Sequence, residues 1–386
     1  MLISGLSGNE IYCLAQKGWA PGRIVVGNSV YSLGAIRGLT SGLRTLAGGE
    51  ITSLTELISD GRHAAIRRLE EEAAQDGAEG ITGVVSELRQ IRGMHEFLAI
   101  GSAIHRGESK GNFFTTACSG QDLYCQLDAG YEPCHFVIGN VAYALGIGRG
   151  LISALRTLAG GEVREYSDMY NHTRHLALDR LEAEAREHGA HAVVDITTRI
   201  STFGPGVREM LMVGTASNNP ALGSLDRPAT SELTGEELWN LTQLGYMPVR
   251  LMLGSSVYAL GLGGGLRAIF SALTRGEVTA MTRLVYEARE NCLDHIRREA
   301  ETLHADAIIG VKAFIYDIGA GLVEVLAIGT AIRKNNAVHT QSPQLLPQAI
   351  IRDRDTFFDE TQSDLRNATR TAGALASKAV EAFGKS

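Results

Sequence analysis

Cysteine is scarce in this chain and is not arranged in pairs. Five of the 386 residues are cysteines, and no two of them form a CxxC pair: Cys13, Cys118, Cys125, Cys134 and Cys292. An odd number without short spacings argues against a disulfide framework. We therefore expect reduced thiols in a cytoplasmic protein.

A secretion signal, a long apolar run and an excess of positive charge are also missing. Met1 to Glu10 has neither the basic nor the apolar region of a secretory signal. The uncharged run from Leu251 to Leu266 is 16 residues long and holds five glycines, whereas a membrane helix needs ~20 mostly apolar residues. The net charge of −7 gives no electrostatic reason for a nucleic-acid partner. We expect a soluble protein without a transmembrane segment.

The motifs of common enzyme classes are missing too. The chain has no nucleophile elbow and no HExxH motif. The glycine-rich turn from Gly146 to Gly150 matches neither GxxxxGK[ST] nor a full GxGxxG motif followed by an acidic residue. We therefore expect no enzymatic activity and no nucleotide cofactor.

What the chain does contain is a threefold internal repeat. The segment Gly27–Gly34 recurs as Gly139–Gly146 and again as Gly254–Gly261, with offsets of 112 and 115 residues. Each copy continues to a Leu-x-x-Gly-Glu motif and ends in an apolar strand that begins with glutamate. Three matches over about 100 residues each indicate duplication.

The order of elements is the same in each copy. A short capped helix, as at Ser7 to Glu10, precedes an apolar strand, a long amphipathic helix and two strands joined by a glycine-containing turn. This order predicts an α+β protein of three tandem two-layer β-α-β-β modules, each an antiparallel sheet with one long helix. Because three strands leave open edges, we expect the modules to pack on each other.

A chain of 386 residues is too long for one core, and the repeats set the boundaries. We expect module 1 at 1–108, module 2 at 109–221 and module 3 at 222–335. Residues 336–386 have no counterpart in the copies. Asn335 to Pro347 has the composition of a linker, and Asp359 to Phe383 has an amphipathic pattern that predicts a C-terminal helix. This helix could dock a protein partner.

The copies resemble a known family. The Gly-Glu motif at Gly161-Glu162, the strand Ala190–Val194 and the ending Val213–Ala216 are similar to the YbjQ-like proteins, a family labelled for heavy-metal binding. The third copy matches through Ala288–Arg289, His304–Gly310 and Val325–Ala331. The resemblance implies a dodecin-like fold and assembly into a ring as a homo-oligomer. It does not carry over a ring of five chains, because three modules share one chain here.

Residues that recur in all three copies are the candidates for an interface or a ligand site. The arginines lie in the long helix, the glutamates at the start of the last strand, and the tyrosines in the first strand: Arg62, Arg174 and Arg289; Glu96, Glu209 and Glu324; Tyr31, Tyr143 and Tyr258. An arginine and a carboxylate could form a bidentate pair across helix and sheet, or across a module interface. The arginines could instead bind an anion.

Histidine spacing offers one metal candidate. His172 and His175 stand three residues apart, as do His188 and His191, so that each pair could share a helix face. We take His172 and His175 as candidate ligands of a divalent metal. The sequence thus favours a non-enzymatic oligomeric scaffold, with a metal-ion or small-ligand binding protein as the alternative.

Overall fold

A computed structural model describes residues 1–32, 48–92, 94–106, 112–144, 161–204, 206–223, 225–259, 279–319 and 321–350. Two predicted features lie outside these residues: the glycine-rich turn at 146–150 and the C-terminal helix, with its predicted role in docking a partner. The segments after the first strand of each copy lie outside them as well. Among the described helices, none is both long and apolar enough to cross a membrane.

The predicted fold class is confirmed, because each copy contributes one long helix and three main strands. The helices are α1 (Gly8–Gln16), α2 (Thr52–Gln75), α3 (Gly120–Asp128), α4 (Arg164–Glu187), α5 (Gly235–Gln243), α6 (Thr279–Thr302) and α7 (Pro347–Ile350). The main strands are β1 (Trp19–Ser32), β3 (Gly80–Ile91), β4 (Met94–Arg106), β6 (Glu132–Ala144), β8 (Ala192–Gly204), β9 (Val207–Asn218), β11 (Tyr246–Ala259), β12 (Ala307–Gly319) and β13 (Leu322–Lys334). In each module the last strand is central and pairs antiparallel with the other two.

The short helices begin and end where their capping residues require. Ser7 and Glu10 form a reciprocal capping box at α1, and Thr234 with Glu237 forms the same box at α5. After α1 the chain turns at Gly18, whose φ of 79° lies in the left-handed region. A glycine occupies that conformation without a Cβ penalty, so the helix stops there and the strand can begin.

The long helix of each module lies very close to its first strand. A methyl group at Gly139 would overlap the backbone carbonyl oxygen of Ala177 in α4, and one at Gly27 would overlap that of Ala65 in α2. Gly254 makes the same approach to Cys292 in α6. The repeated glycine therefore sets the distance between helix and sheet.

Short strands from neighbouring modules extend each sheet. They are β2 (Gly49–Glu50), β5 (Phe114–Thr115), β7 (Gly161–Glu162) and β10 (Ala229–Thr230). Strand β2 of module 1 pairs with β6 of module 2, and β7 of module 2 pairs with β11 of module 3. In the other direction, β5 pairs parallel with β3, and β10 with β8. The expected packing of the copies on each other is confirmed, since strand edges are shared across modules.

A row of short helices runs alongside the sheets. The Glu10 carboxylate in α1 accepts a hydrogen bond from the Gly120 amide that opens α3, at 3.0 Å. Asp122 in α3 accepts one in the same way from Gly235 of α5, at 2.9 Å. The helices α1 and α3 thus each place an acid at the positive end of the next short helix, where a negative charge is stabilising.

The segment predicted to be a linker lies against these helices. Asp128 at the end of α3 is fully buried and accepts hydrogen bonds from Lys17, from the Trp239 indole and from both the amide and hydroxyl groups of Ser342. A residue from each module and one from the segment at 336–350 therefore meet at one carboxylate. All five cysteines are free thiols.

Candidate functional site at the module joints

Each long helix between two modules is covered on both sides by sheets. In module 2, Val137 and Val141 of β6 face α4 of their own module, while Phe136 and Ile138 pack in the cluster that surrounds α2 of module 1. This follows from the alternation of side chains along a strand. We call the contact of α2 with the module 2 sheet the first joint, and that of α4 with the module 3 sheet the second joint.

A buried ion pair lies at the centre of the first joint. The Arg62 guanidinium donates to both carboxylate oxygens of Glu209, from Nε at 3.1 Å and from Nη2 at 2.7 Å. Its Nη1 donates to the Ser86 hydroxyl at 3.0 Å. Both charged side chains are 1% exposed or less. Such a bidentate pair fixes the position of the two modules relative to each other, because its geometry tolerates little displacement.

The second joint repeats this arrangement. Arg174 Nη2 lies 2.8 Å from each carboxylate oxygen of Glu324, and its Nη1 donates to the Tyr143 hydroxyl at 3.0 Å. The Tyr143 and Tyr170 rings lie 5.0 and 5.2 Å from the guanidinium carbon. Burial alone would lower the pKa of Arg174, but the charge of Glu324 and the hydrogen bonds to Glu324 and Tyr143 outweigh it and raise that pKa. Arg174 is therefore a permanent cation in this interface.

Hydroxyl groups add a second repeated contact at each joint. Thr55 Oγ1 in α2 accepts a hydrogen bond from the Ala142 amide of β6, at 2.9 Å. At the aligned place in the second joint, Ser167 Oγ accepts from the Val257 amide of β11, at 2.9 Å. These amide donors of the following module are thus satisfied inside the interface.

The other repeated residues differ from these pairs in their burial and in their hydrogen-bond partners. Arg289 is exposed, and half-buried Glu96 accepts a hydrogen bond from the exposed Asn28 at 3.0 Å. Tyr31 is half-buried and lies edge-on to Phe97, at 5.7 Å. Tyr258 accepts a hydrogen bond from Asn291 at 2.7 Å, and burial raises its pKa to about 12. The described pairs join the arginine of one module to the glutamate of the next.

A histidine–glutamate contact also recurs at both joints. His63 Nε2 lies 3.2 Å from Glu184, and His175 Nε2 lies 3.2 Å from Glu299. Hydrogen bonding to Glu184 raises the pKa of His63. Burial lowers the pKa of His175, but the hydrogen bond and the charge of Glu299 raise it above its ordinary value. These histidines thus act as cations of the joints at mildly acidic pH.

The two histidines predicted as metal ligands have different surroundings. His172 is exposed, whereas His175 is engaged with Glu299 and with the Asn171 carbonyl oxygen. A different group meets the distance requirement for an ion within the described residues: His135, Glu184 and His188, whose ligand atoms lie within 4.8 Å of one another. Imidazole and carboxylate together suit a divalent ion such as zinc.

This second group lies at the edge of the first joint. The rings of His135 and His188 stack with their centroids 3.9 Å apart, and His135 Nδ1 is 3.8 Å from Glu70 of α2. Burial, and then the neighbouring His188, lowers the pKa of His135 to about 4. At neutral pH His135 is therefore uncharged, and one of its ring nitrogens is unprotonated.

Sequence comparison within the chain could not identify this group. Arg23 and Arg250 occupy the position of His135 in the other modules, where they form salt bridges with Glu72 and Glu182. A search for repeated residues therefore passes over it. The only signal was His188 itself, in its spacing with His191.

The fold and its repeated joints define a tandem protein of small α+β modules that dock in series. The family described as "Putative heavy-metal-binding", YbjQ_1, matches residues 20–106, 130–219 and 246–335. The three matches cover more than half of the chain, one in each module, and the chain belongs to this family.

Similar proteins fall into two groups by length. The encapsulin nanocompartment protein Rv1762c of Mycobacterium tuberculosis is 32% identical over 239 residues, which are 58% of this chain and 89% of that protein. UPF0145 proteins match about one module. That of Methanocella arvoryzae is 43% identical over 81 residues, 21% of this chain and 68% of its own length. That of Thermotoga maritima is 41% identical over 80 residues, 21% of this chain and 76% of its own length.

Proposed function

We propose that this chain is a non-enzymatic building block of a homo-oligomeric scaffold in the cytoplasm. The observation that carries the proposal is the repetition of one buried contact, Arg62 with Glu209 and Arg174 with Glu324. Each contact joins a helix of one module to the sheet of the following module. Because such a contact joins two different surfaces, a helix and a sheet face, it can be repeated without limit by adding modules.

A long relative supports an assembly role. The Mycobacterium tuberculosis protein carries the name of an encapsulin nanocompartment protein, and a nanocompartment is an assembly of many chains. None of the three relatives described above has an enzyme name. The free cysteines are in keeping with the cytoplasmic location, because thiols stay reduced there.

Light scattering coupled to size exclusion tests the scaffold proposal. The full chain should elute as particles with masses that are whole multiples of 41.3 kDa, and the fraction of large particles should increase with protein concentration. A mass of 41.3 kDa at every concentration, including the highest that stays in solution, contradicts the proposal.

A second candidate function is the binding of a divalent metal at the edge of the first joint. The group of His135, Glu184 and His188 favours it, because two imidazoles and one carboxylate form a three-ligand set that leaves a position open for water. His63 shares Glu184 with this group, with its Nε2 3.2 Å from that carboxylate, and could supply an additional ligand nitrogen. The metal would then also link module 1 to module 2.

Zinc titration by calorimetry tests the metal candidate. Wild type should bind one equivalent of zinc, and both H135A and H188A should lose it. The variant H172A/H175A is the matched control, since those histidines lie outside the group and should leave the stoichiometry unchanged. Unchanged uptake in H135A and H188A would exclude this site, and loss in the control alone would return the site to His172 and His175.

A further inference from the structure

We propose that the exposed side of α6 docks on the outer face of the module 1 sheet of a second copy, with Arg289 bonded to Glu96 of that copy. The inference rests on the proposed scaffold function and names the surfaces that would join the chains. We call this contact the third joint. It would repeat, between chains, the relationship that the first and second joints make within one chain.

The outer face of the module 1 sheet has the composition of a buried interface. It carries five large apolar side chains that are 39–51% exposed: Ile24, Val26, Val30, Ile91 and Met94. The aligned residues in module 2 are Phe136, Ile138, Ala142, Phe203 and Val207, and all of these are buried against α2 in one cluster. The module 1 face lacks only the helix of a preceding module, and an exposed apolar patch of this kind marks an interaction site.

The exposed side of α6 is the matching helix. Leu293 is 39% exposed, although its counterparts Ile66 and Leu178 are 4% and 0% exposed at the first and second joints. Tyr286 is 60% exposed and aligns with Asn171, which bonds Ser255 across the second joint. In this helix the positions that contact a following module elsewhere thus face outwards.

The two surfaces also carry complementary charges. Arg289 of α6 is exposed, whereas the aligned Arg62 and Arg174 are 1% and 0% exposed in their ion pairs. Glu96 occupies the position of Glu209 and Glu324, but within the part of the chain that the structure describes it accepts a hydrogen bond only from Asn28 of the adjacent strand. Docking would give Arg289 and Glu96 the bidentate partner that their counterparts already have.

In the described part of the chain, the edge strand β12 of module 3 also lacks the cover that its counterparts have in modules 1 and 2. Val311 on the edge strand β12 is 42% exposed, whereas the aligned Val84 and Ile196 are 1% and 3% exposed. In modules 1 and 2 the connecting segment covers that edge, where the amides of Val84 and Ile196 donate to the Thr116 and Ser231 carbonyl oxygens.

The N-terminal segment of a second copy would cover β12 in this way. Ser4 aligns with Thr116 and Ser231, and its neighbours Leu2 and Ile3 are 54% and 64% exposed. The row of short helices would continue as well, because exposed Glu237 aligns with Glu10 and Asp122, the acids that accept from the following helix. The Glu237 carboxylate would face the amide of the exposed Gly8, the first residue of α1 in the second copy.

The third joint would have two different sides, so it cannot pair a surface with itself. Such head-to-tail contacts close into rings or extend as filaments. The other occupant to consider is the chain's own segment at 351–386, which could cover either surface. A charge swap between chains distinguishes the two, because only a second copy brings Arg289 to Glu96.

The test uses full-length R289E and E96R, with light scattering of each and of their equimolar mixture. Each variant alone should associate on the order of a hundredfold more weakly than wild type, because a buried charge would face a like charge. The mixture and the double variant R289E/E96R should recover the oligomer. R283E is the matched control on α6, as Arg283 aligns with the exposed Glu56 and Asp168, and it should assemble like wild type.

The outcomes separate this inference from the scaffold proposal. An oligomeric wild type with both single variants unaffected overturns the third joint but leaves the scaffold function standing. Weakened single variants without recovery in the mixture or in the double variant also overturn the pairing. A monomeric wild type overturns both. Circular dichroism spectra of the variants should match wild type, since Arg289 is exposed in the single chain.

Discussion

Arg174 and Glu324 lie 150 residues apart and in different modules, yet the Arg174 Nη2 is 2.8 Å from both carboxylate oxygens of Glu324. Both side chains are fully buried. Removing two charges from water is costly unless each is fully paired, so the contact depends on the exact fit of helix and sheet. The pair therefore fixes the position of module 2 relative to module 3.

Loss of one member of this pair should destabilise the chain strongly. We expect R174A to lower the free energy of unfolding by about 3–5 kcal/mol, because Glu324 would remain as an uncompensated buried charge. The double variant R174M/E324L should lose much less, since neither charge remains. Urea unfolding of the three proteins measures this. A double variant that is less stable than R174A would contradict the account of the pair.

The close approach of helix and strand gives a second prediction. G139A should destabilise the chain by about 1–3 kcal/mol or more, because the added methyl group overlaps the Ala177 carbonyl oxygen and α4 must move. The control is E187A, since Glu187 is an exposed residue at the end of the same helix. Thermal melting of both variants measures the effect. Equal melting temperatures would show that α4 can shift freely.

The first joint should respond to pH through His63. Its pKa is raised in the folded chain by hydrogen bonding to Glu184, so folding favours the protonated ring. The stability that this gives is fully present below the unfolded pKa, about 6.5, and is lost as pH increases through the raised folded pKa.

Comparison of wild type with H63Q measures this contribution. The difference between their melting temperatures should be largest near pH 6 and should shrink towards pH 9, where the histidine is neutral. The control H339Q replaces an exposed ring whose Nδ1 bonds the Ala337 backbone carbonyl oxygen, and it should show no such trend. A difference that grows with pH would contradict the assignment.

The third joint should become stronger when it resembles the other two. Glu290 occupies the position of His63 and His175, whose partners Glu184 and Glu299 align with Glu72 of module 1. E290H would place a histidine opposite Glu72 of the second copy. An exposed pair contributes about 0.2–1 kcal/mol, so association should tighten by up to about fivefold near pH 6.

Light scattering over a dilution series measures the association. The gain in E290H should decrease at pH 8, where the ring is uncharged. E301H changes an exposed glutamate elsewhere on α6 and should associate like wild type. Weaker association of E290H at pH 6 would show that Glu72 does not face this position.

The module and its candidate residues could be predicted from the sequence because the repeat samples each position three times. The Arg and Glu positions stood out in this way, and so did the capping box at Ser7 and Glu10. Which arginine bonds which glutamate could not be predicted, because the partner lies one module further along the chain. Intervals along the sequence do not say on which side of a sheet the next helix packs.

The group of His135, Glu184 and His188 could not be predicted from the sequence, for the opposite reason. His135 is present in one module alone, so repetition hides it, and its neighbours His188 and Glu184 come together only when α4 ends beside β6. The His172–His175 spacing was a helical pattern that the second joint uses differently, with His175 bonded to Glu299. Local spacing identifies residues that can share a face but not the partner that reaches them first.

Cryo-electron microscopy of the assembled particle, at a resolution that shows side chains, tests the central claim most directly. The account predicts that every joint between chains repeats the joints within a chain, with the Arg289 guanidinium within hydrogen-bond distance of Glu96 of the next copy. Particles in which Arg289 faces solvent, or in which two copies meet through the same surface, would contradict it.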